Sequence, residues 1–231
     1  MKVSSRHVLH PATHALRAGF TLLEMMVVIG IIGLLAAFLV PNIMQAMGQA
    51  TVTAEQANMR ELYTWLINYK NNNNQSWPTA TGQKFILQLW KDGTVERSEK
   101  NAKRFFSAGE NSTEYLAALG FDPEETSVIE YLTDWDSLAP GAINYAGFDP
   151  QGDRTLRRKL NNAPGSVTII ANATFAHRNA IVYMTADGEI HTLNIQELLD
   201  EGVITQEDVE MGIIPVGASS PIPELQTVTN D

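Results

Sequence analysis

The sequence predicts an α+β fold: a long N-terminal spine helix, with a membrane half and an exported half, packed on a small head with short helices and an antiparallel β-sheet. Three observations predict it. Of the 21 residues from Phe20 to Val40, 17 are apolar. Helical spacing of apolar residues continues beyond them as far as Lys70. After residue 165 the pattern turns to β-rich runs joined at Asp187-Gly188.

As a helix rising about 1.5 Å per residue, the apolar run covers roughly 30 Å, the hydrocarbon thickness of a bilayer. It has no polar face of the kind a half-buried soluble helix carries, so it reads as a membrane segment. One carboxylate, Glu24, interrupts it. An acid costs about 2.5–3.5 kcal/mol at mid-membrane, and about a dozen Leu, Ile, Val and Phe outweigh it, so insertion survives and the acid needs a partner. Lys2, Arg6 and Arg17 precede the run with no acid among residues 1–19, and the next basic residue is Arg60. That asymmetry keeps the N-terminus in the cytoplasm.

Beyond Asn42, residues Val52, Ala57, Leu62, Leu66 and Tyr69 recur at helical spacing, and NNNNQSWP ends the pattern near Lys70. Residues 79–136 then read as short helices: GQKFILQLW, AKRFFS, STEYLAALG and SVIEYLTDW. Trp77, Trp90 and Trp135 in this part are core or subunit-contact residues. SLAPGAINYAGFDPQGD leads to SVTIIANATF and NAIVYMTADGEIHTLN, with Asp187-Gly188 as a tight hairpin turn. Asn194 with Glu197, and Thr205 with Asp208, read as capping boxes. The end, IPVGASSPIPELQTVTND, reads as a loosely packed tail.

An ordinary secretory signal is cut after its apolar run, whereas this run continues into a helix. Gly19-Phe20-Thr21-Leu22-Leu23-Glu24, behind a short basic leader, resembles the type IV pilin and type II secretion pseudopilin family. The resemblance implies cleavage between Gly19 and Phe20 by a prepilin peptidase, with methylation of the new N-terminus at Phe20. It also implies that Glu24 neutralises the amine of a neighbouring subunit. A carboxylate and an ammonium attract strongly in low dielectric, and each alone carries a desolvation cost. The plain alternative places Glu24 at the headgroup level. Gly33 and Pro41 match family positions between which the helix melts in filaments, although small residues also let membrane helices pack closely.

The implied organisation is a leader at 1–19, a transmembrane and filament-core helix at 20–41, the exported half of the spine at 42–74, a globular pilin-like head at 75–218 and a flexible tail at 219–231. Residues 20–231 keep 13 of the 16 basic residues and all 26 acidic ones, a net charge of −13. No nucleic acid is expected as a partner, because the one dense basic group is Arg154, Arg157, Arg158 and Lys159. That group reads as a solvated loop or a patch against an acidic neighbour subunit. The chain has no cysteine, so nothing staples a C-terminal loop by a disulfide, which leans toward pseudopilins.

His177 is followed by nine residues and Asp187-Gly188, a spacing that resembles the His-x9-Asp-Gly pattern of prepilin-like proteins in planctomycete and related bacteria. Physically it is a hairpin with a hydrogen-bonded imidazole. Asp134, Asp136, Asp149 and Asp153 are the candidates for a calcium site, since hard oxygen ligands suit that ion, but no calcium-loop motif accompanies them. No other cofactor is implied, and no nucleophile elbow, phosphate loop or zinc spacing is present. The reading is therefore a non-enzymatic subunit of a type IV pilus-like filament, a type II secretion pseudopilin, held in the inner membrane with its head in the periplasm until extraction into a filament. Its partners would be the prepilin peptidase, the inner membrane, other pilin-like subunits and the assembly machinery. The alternatives are a surface type IV pilus subunit, or a periplasmic binding or enzymatic domain on a prepilin-type anchor, which a deep pocket with convergent polar groups would favour.

Overall fold

A computed structural model describes residues 20–177 and 179–231. The chain divides into two compact units, one ending at Gln45 and one beginning at Ala46. Helix α1 (Leu22–Asn72) is the one long helix among the described residues, and it supplies the whole described part of the first unit beyond Phe20 and Thr21. Its apolar side chains there are exposed all round, as a membrane segment requires. Pro41 lies within it. The Asn42 side-chain amide donates to the Phe38 carbonyl at 2.9 Å, beside the backbone bond that the proline nitrogen cannot make.

In the second unit α1 buries one stripe: Glu55, Asn58, Met59, Leu62, Trp65, Leu66 and Tyr69. Intervals of three and four keep these on one face of a 3.6-residue helix. Ala57, expected on that face, is exposed. The runs GQKFILQLW, STEYLAALG and SVIEYLTDW form helices as expected, whereas AKRFFS forms only a 3-10 turn at Lys103–Phe105, behind a helix that ends at Ala102. The four short helices are α2 (Gln83–Lys91), α3 (Glu99–Ala102), α4 (Ser112–Ala118) and α5 (Val128–Thr133). Ser98, Asn111 and Ser127 cap the last three through their side chains. The basic group expected in a loop forms a helix instead, α6 (Arg154–Asn162), opened by an Asp153 cap and anchored by Leu160, which is buried. Beyond the sheet strands, α7 (Ile195–Asp200) and α8 (Gln206–Met211) complete the α-helices among the described residues.

The sheet has five strands in the order β4-β3-β2-β1-β5: β1 (Tyr145–Phe148), β2 (Thr168–Asn172), β3 (Ala180–Thr185), β4 (Ile190–Asn194) and β5 (Val228–Thr229), each pair antiparallel. Alternation along β3 builds two cores. Val182 and Met184 face α1 and α2, packing with Leu62, Leu66, Phe85 and Trp90. Ile181 and Tyr183 face α7 and the C-terminal segment, packing with Ile195, Ile204, Leu225 and Val228. The unit is therefore three layers deep, with the sheet in the middle.

Two expectations are corrected. The segment 219–231 is not a loose tail: Val228 pairs with Phe148, Ile222 is 1% exposed and Leu225 is fully buried. Burying those side chains stabilises by roughly 1.5–3 kcal/mol each, which fastens the segment. Nor is Asp187-Gly188 a two-residue turn. The Gly188 N–H donates to the Thr185 carbonyl at 2.9 Å, Thr185 and Glu189 close the loop, and φ is positive only at Gly188. That is a three-residue loop with its left-handed residue last.

Candidate functional site

In the first unit the informative geometry surrounds Glu24. The Thr21 backbone N–H and the Thr21 hydroxyl both donate to Glu24 Oε2 at 2.8 Å, and the Glu24 N–H donates to the Thr21 hydroxyl at 3.2 Å. This is a reciprocal capping box at the start of α1, and the Thr-x-x-Glu spacing that announces it is present in the sequence. Oε1 makes no hydrogen bond among the described residues. A Cβ built on Gly33 meets nothing within 4 Å, so packing within the chain does not demand a glycine there. The leader and Gly19 lie outside the described residues.

In the second unit the sequence-predicted His177 joins a buried polar cluster whose centre is Glu55, a residue that pattern reading passed over. Glu55 is fully buried and His177 is 2% exposed. His177 Nε2 lies 3.2 Å from Glu55 Oε2 and 3.3 Å from the Ser107 hydroxyl. The same oxygen accepts from the Ser107 hydroxyl and the Ala108 N–H, both at 2.7 Å. Oε1 accepts from the Tyr145 hydroxyl and, at 3.2 Å, from the Asn172 amide. Asn58, one turn along α1, donates to the carbonyls of Arg104 and Phe106 and accepts from Arg104 Nη1 at 3.1 Å.

Burial pushes the Glu55 carboxyl up, but the hydrogen bonds from His177, Tyr145 and Ser107, with the His177 charge, more than offset it and hold it below the usual range. The Tyr145 hydroxyl is held well above its ordinary value by burial and by the adjacent carboxylate. Glu55 is therefore an ionised acceptor saturated by donors from four segments. Glu55 is sealed from solvent, and the cluster ties α1 to the sheet.

The His-x9-Asp-Gly spacing acquires a physical meaning from this arrangement. His177 pins the start of the β3 hairpin to Glu55. At the other end, Gly188 has φ +89° and packs on Tyr63, so closely that a Cβ would come within 2.5 Å of the ring. The Tyr63 hydroxyl donates to the Ala186 carbonyl at 3.3 Å. Glu55 and Tyr63 are eight residues apart on α1, about 12 Å, so the hairpin grips the helix at two points. Asp187 staples the turn by accepting from the Thr185 hydroxyl at 2.6 Å, the bond that chiefly lowers its pKa.

The four calcium candidates are not brought together: among the described residues no three His, Asp or Glu are placed to hold a metal. Asp149 accepts from the Gln151 N–H and the Thr229 hydroxyl, and Asp153 from the Thr155 N–H and hydroxyl. Asp134 caps the end of α5, and Asp136 is exposed. A cleft of about 400 Å³ in the second unit is lined by α7, β4 and Pro221–Glu224, with Glu197, Glu201 and Glu224 on its walls and no basic side chain.

Known proteins resemble the chain in two ways. The prokaryotic N-terminal methylation motif matches residues 15–40. The type II secretion system core protein G of Pseudomonas aeruginosa is 35% identical over 125 residues, 54% of this chain and 75% of that protein. No solved structure matches.

Proposed function

The chain belongs to the type II secretion system core protein G family, the pseudopilins, whose members are structural subunits and not enzymes, and from that premise we propose how this subunit is anchored and assembled. Residues 20–41 hold it in the inner membrane with the N-terminus on the cytoplasmic side and the head in the periplasm. Prepilin peptidase cuts between Gly19 and Phe20 and methylates Phe20. The apolar segment then leaves lipid to pack against other pilin-like subunits in a secretion pseudopilus.

The observation that carries this reading is the segment 20–45. It is apolar, exposed on every side, and Glu24 is its one charged residue. A surface of that kind is stable in lipid or against copies of itself. Glu24 serves both environments. Its Oε2 closes the capping box of its own helix, and Oε1 is left to accept from the freed amine of a neighbour. The carboxylate thus neutralises a charge that would otherwise be buried alone in the filament core.

Glu24→Gln separates the two tasks, because glutamine also serves at the third position of a capping box. The variant is expected to insert normally, since removing a charge lowers the cost of membrane entry. Its filament yield should fall at least about tenfold, as each interface then buries an uncompensated ammonium. Thr21→Ala, which costs the cap about 1 kcal/mol, should assemble nearly as the parent does. Normal filament yield from Glu24→Gln, counted by electron microscopy, would leave the carboxylate as a helix cap only.

A further inference from the structure

The strongest charge asymmetry of the second unit lies across its sheet. Helix α6 carries Arg154, Arg157, Arg158 and Lys159, four of the 13 basic residues between 20 and 231. Arg157 is occupied at home: it donates to the carbonyls of Thr79 and Pro78 at 2.8 and 3.3 Å, and its guanidinium lies 5.8 Å from the centre of the Phe148 ring. Leu156 and Leu160 turn into the α1-side core. Arg154, Arg158 and Lys159 are left exposed, and none makes a salt bridge among the described residues. Arg154 and Arg158, four apart, stand on one face of the helix.

The opposite layer has the opposite sign. Residues 179–231 contain ten acids and no Lys or Arg. Five of the acids, Glu197, Asp200, Glu201, Glu207 and Glu210, are exposed on α7 and α8 or at the end of α7. Leu160 of α6 belongs to the core on the α1 side of the sheet, and Ile195 of α7 to the core on the other side. The two patches therefore cannot meet within one chain.

We propose that the basic face of α6 docks on the acidic α7–α8 layer of a second copy of this chain, a head-to-tail contact that sets the register of neighbouring heads. Neither patch complements itself, so a two-fold dimer would set like charges against each other, whereas a heterologous contact satisfies both patches and repeats along an open filament. An anionic lipid surface would also attract three cations. It would repel the rest of a chain whose residues 20–231 carry a net charge of −13, and it would leave the acidic layer unmatched. The contact rests on the filament-subunit reading above.

The absence of native cysteine makes the test direct. The full-length chain bearing Asn162→Cys at the end of α6 and Gln206→Cys at the start of α8 is oxidised in isolated membranes and in sheared filaments. We expect a ladder of cross-linked multimers. Adding R154E, R158E and K159E should cut it at least about tenfold, because each reversal faces an acid with an acid. Adding E197K, E201K and E207K to that same chain should restore it, since every copy then carries both reversed patches. All six side chains are exposed, and a thermal melt confirms folding; should the reversal unfold the head, R154Q, R158Q and K159Q are expected to weaken the ladder in the same direction.

A ladder indifferent to the reversal, or one lost by it and not restored by the second set, overturns the contact. So does a reversal that abolishes sedimentation with phosphatidylglycerol vesicles while the ladder persists, which would assign α6 to lipid. A parent chain that makes filaments without the cross-link overturns this contact alone. A parent that makes neither overturns the filament reading with it.

Discussion

Glu55 occupies a position on α1 that the stripe of Met59, Leu62 and Leu66 would assign to an apolar side chain. It is tolerated because five donors converge on it: Ser107, the Ala108 N–H, Tyr145, Asn172 and His177. Removing the acceptor takes from these buried donors the carboxylate they share, so Glu55→Ala is expected to cost about 3–5 kcal/mol in a urea titration of the detergent-solubilised chain. The pH dependence has a definite sign. A carboxyl lowered on folding contributes its stability above the ordinary value of 4.5 and loses it as pH falls through the folded value. The parent should therefore lose stability below about pH 4.5, and Glu55→Gln should lack that part of the acid limb. Superimposable acid limbs for the two proteins would show that Glu55 is not ionised in the folded state.

The β3–β4 hairpin shows how a short pattern becomes a device once its neighbours are known. The Asp-Gly pair announces a turn from its chemistry alone, since glycine accepts positive φ and aspartate bonds the backbone nearby. The loop length and the reason for the glycine are set by Tyr63, which lies against Gly188. Gly188→Val combines a backbone conformation that β-branched residues resist with a clash on that ring, and about 2–4 kcal/mol of destabilisation is expected. His177→Gln, which keeps an amide donor for Glu55, should cost only about 1 kcal/mol. Thermal melts of the two variants decide this; a glutamine variant less stable than the valine variant would mean that the imidazole, not the turn, carries the hairpin.

For the chain as a whole, the proposed cleavage changes both its charge and its terminus. Loss of residues 1–19 takes away three bases and no acid, and leaves a net charge of −13. It also places Phe20 at the terminus, one residue before the Thr21 cap of α1. We expect N-terminal sequencing and mass measurement of the mature, membrane-extracted protein to begin at a methylated Phe20, and Gly19→Ala to keep its leader. A mature terminus beyond residue 40 would remove the apolar segment and, with it, the assembly described above.

The parts of this protein legible in its linear order are those whose physics is local. Seventeen apolar residues among 21 need no partner to declare a membrane helix, and the Thr205–Asp208 capping box is complete within four residues. The Thr21–Glu24 box is likewise complete within four residues. Other features depended on distant residues. The strand Tyr145–Phe148 and the docked segment ending in Val228–Thr229 exist because they pair with each other and, through β1, with β2. Glu55 is central because segments 52 to 122 residues away bring donors to it. Helix α6 forms from a run that reads as a charged loop, since Leu156 and Leu160 find the core and Arg157 finds the carbonyls of residues 78 and 79. A helix, a cap or a turn is decided by neighbours in the chain; burial of a charge and the pairing of a short strand are decided by what the folded chain brings alongside, and only the tertiary structure supplies that.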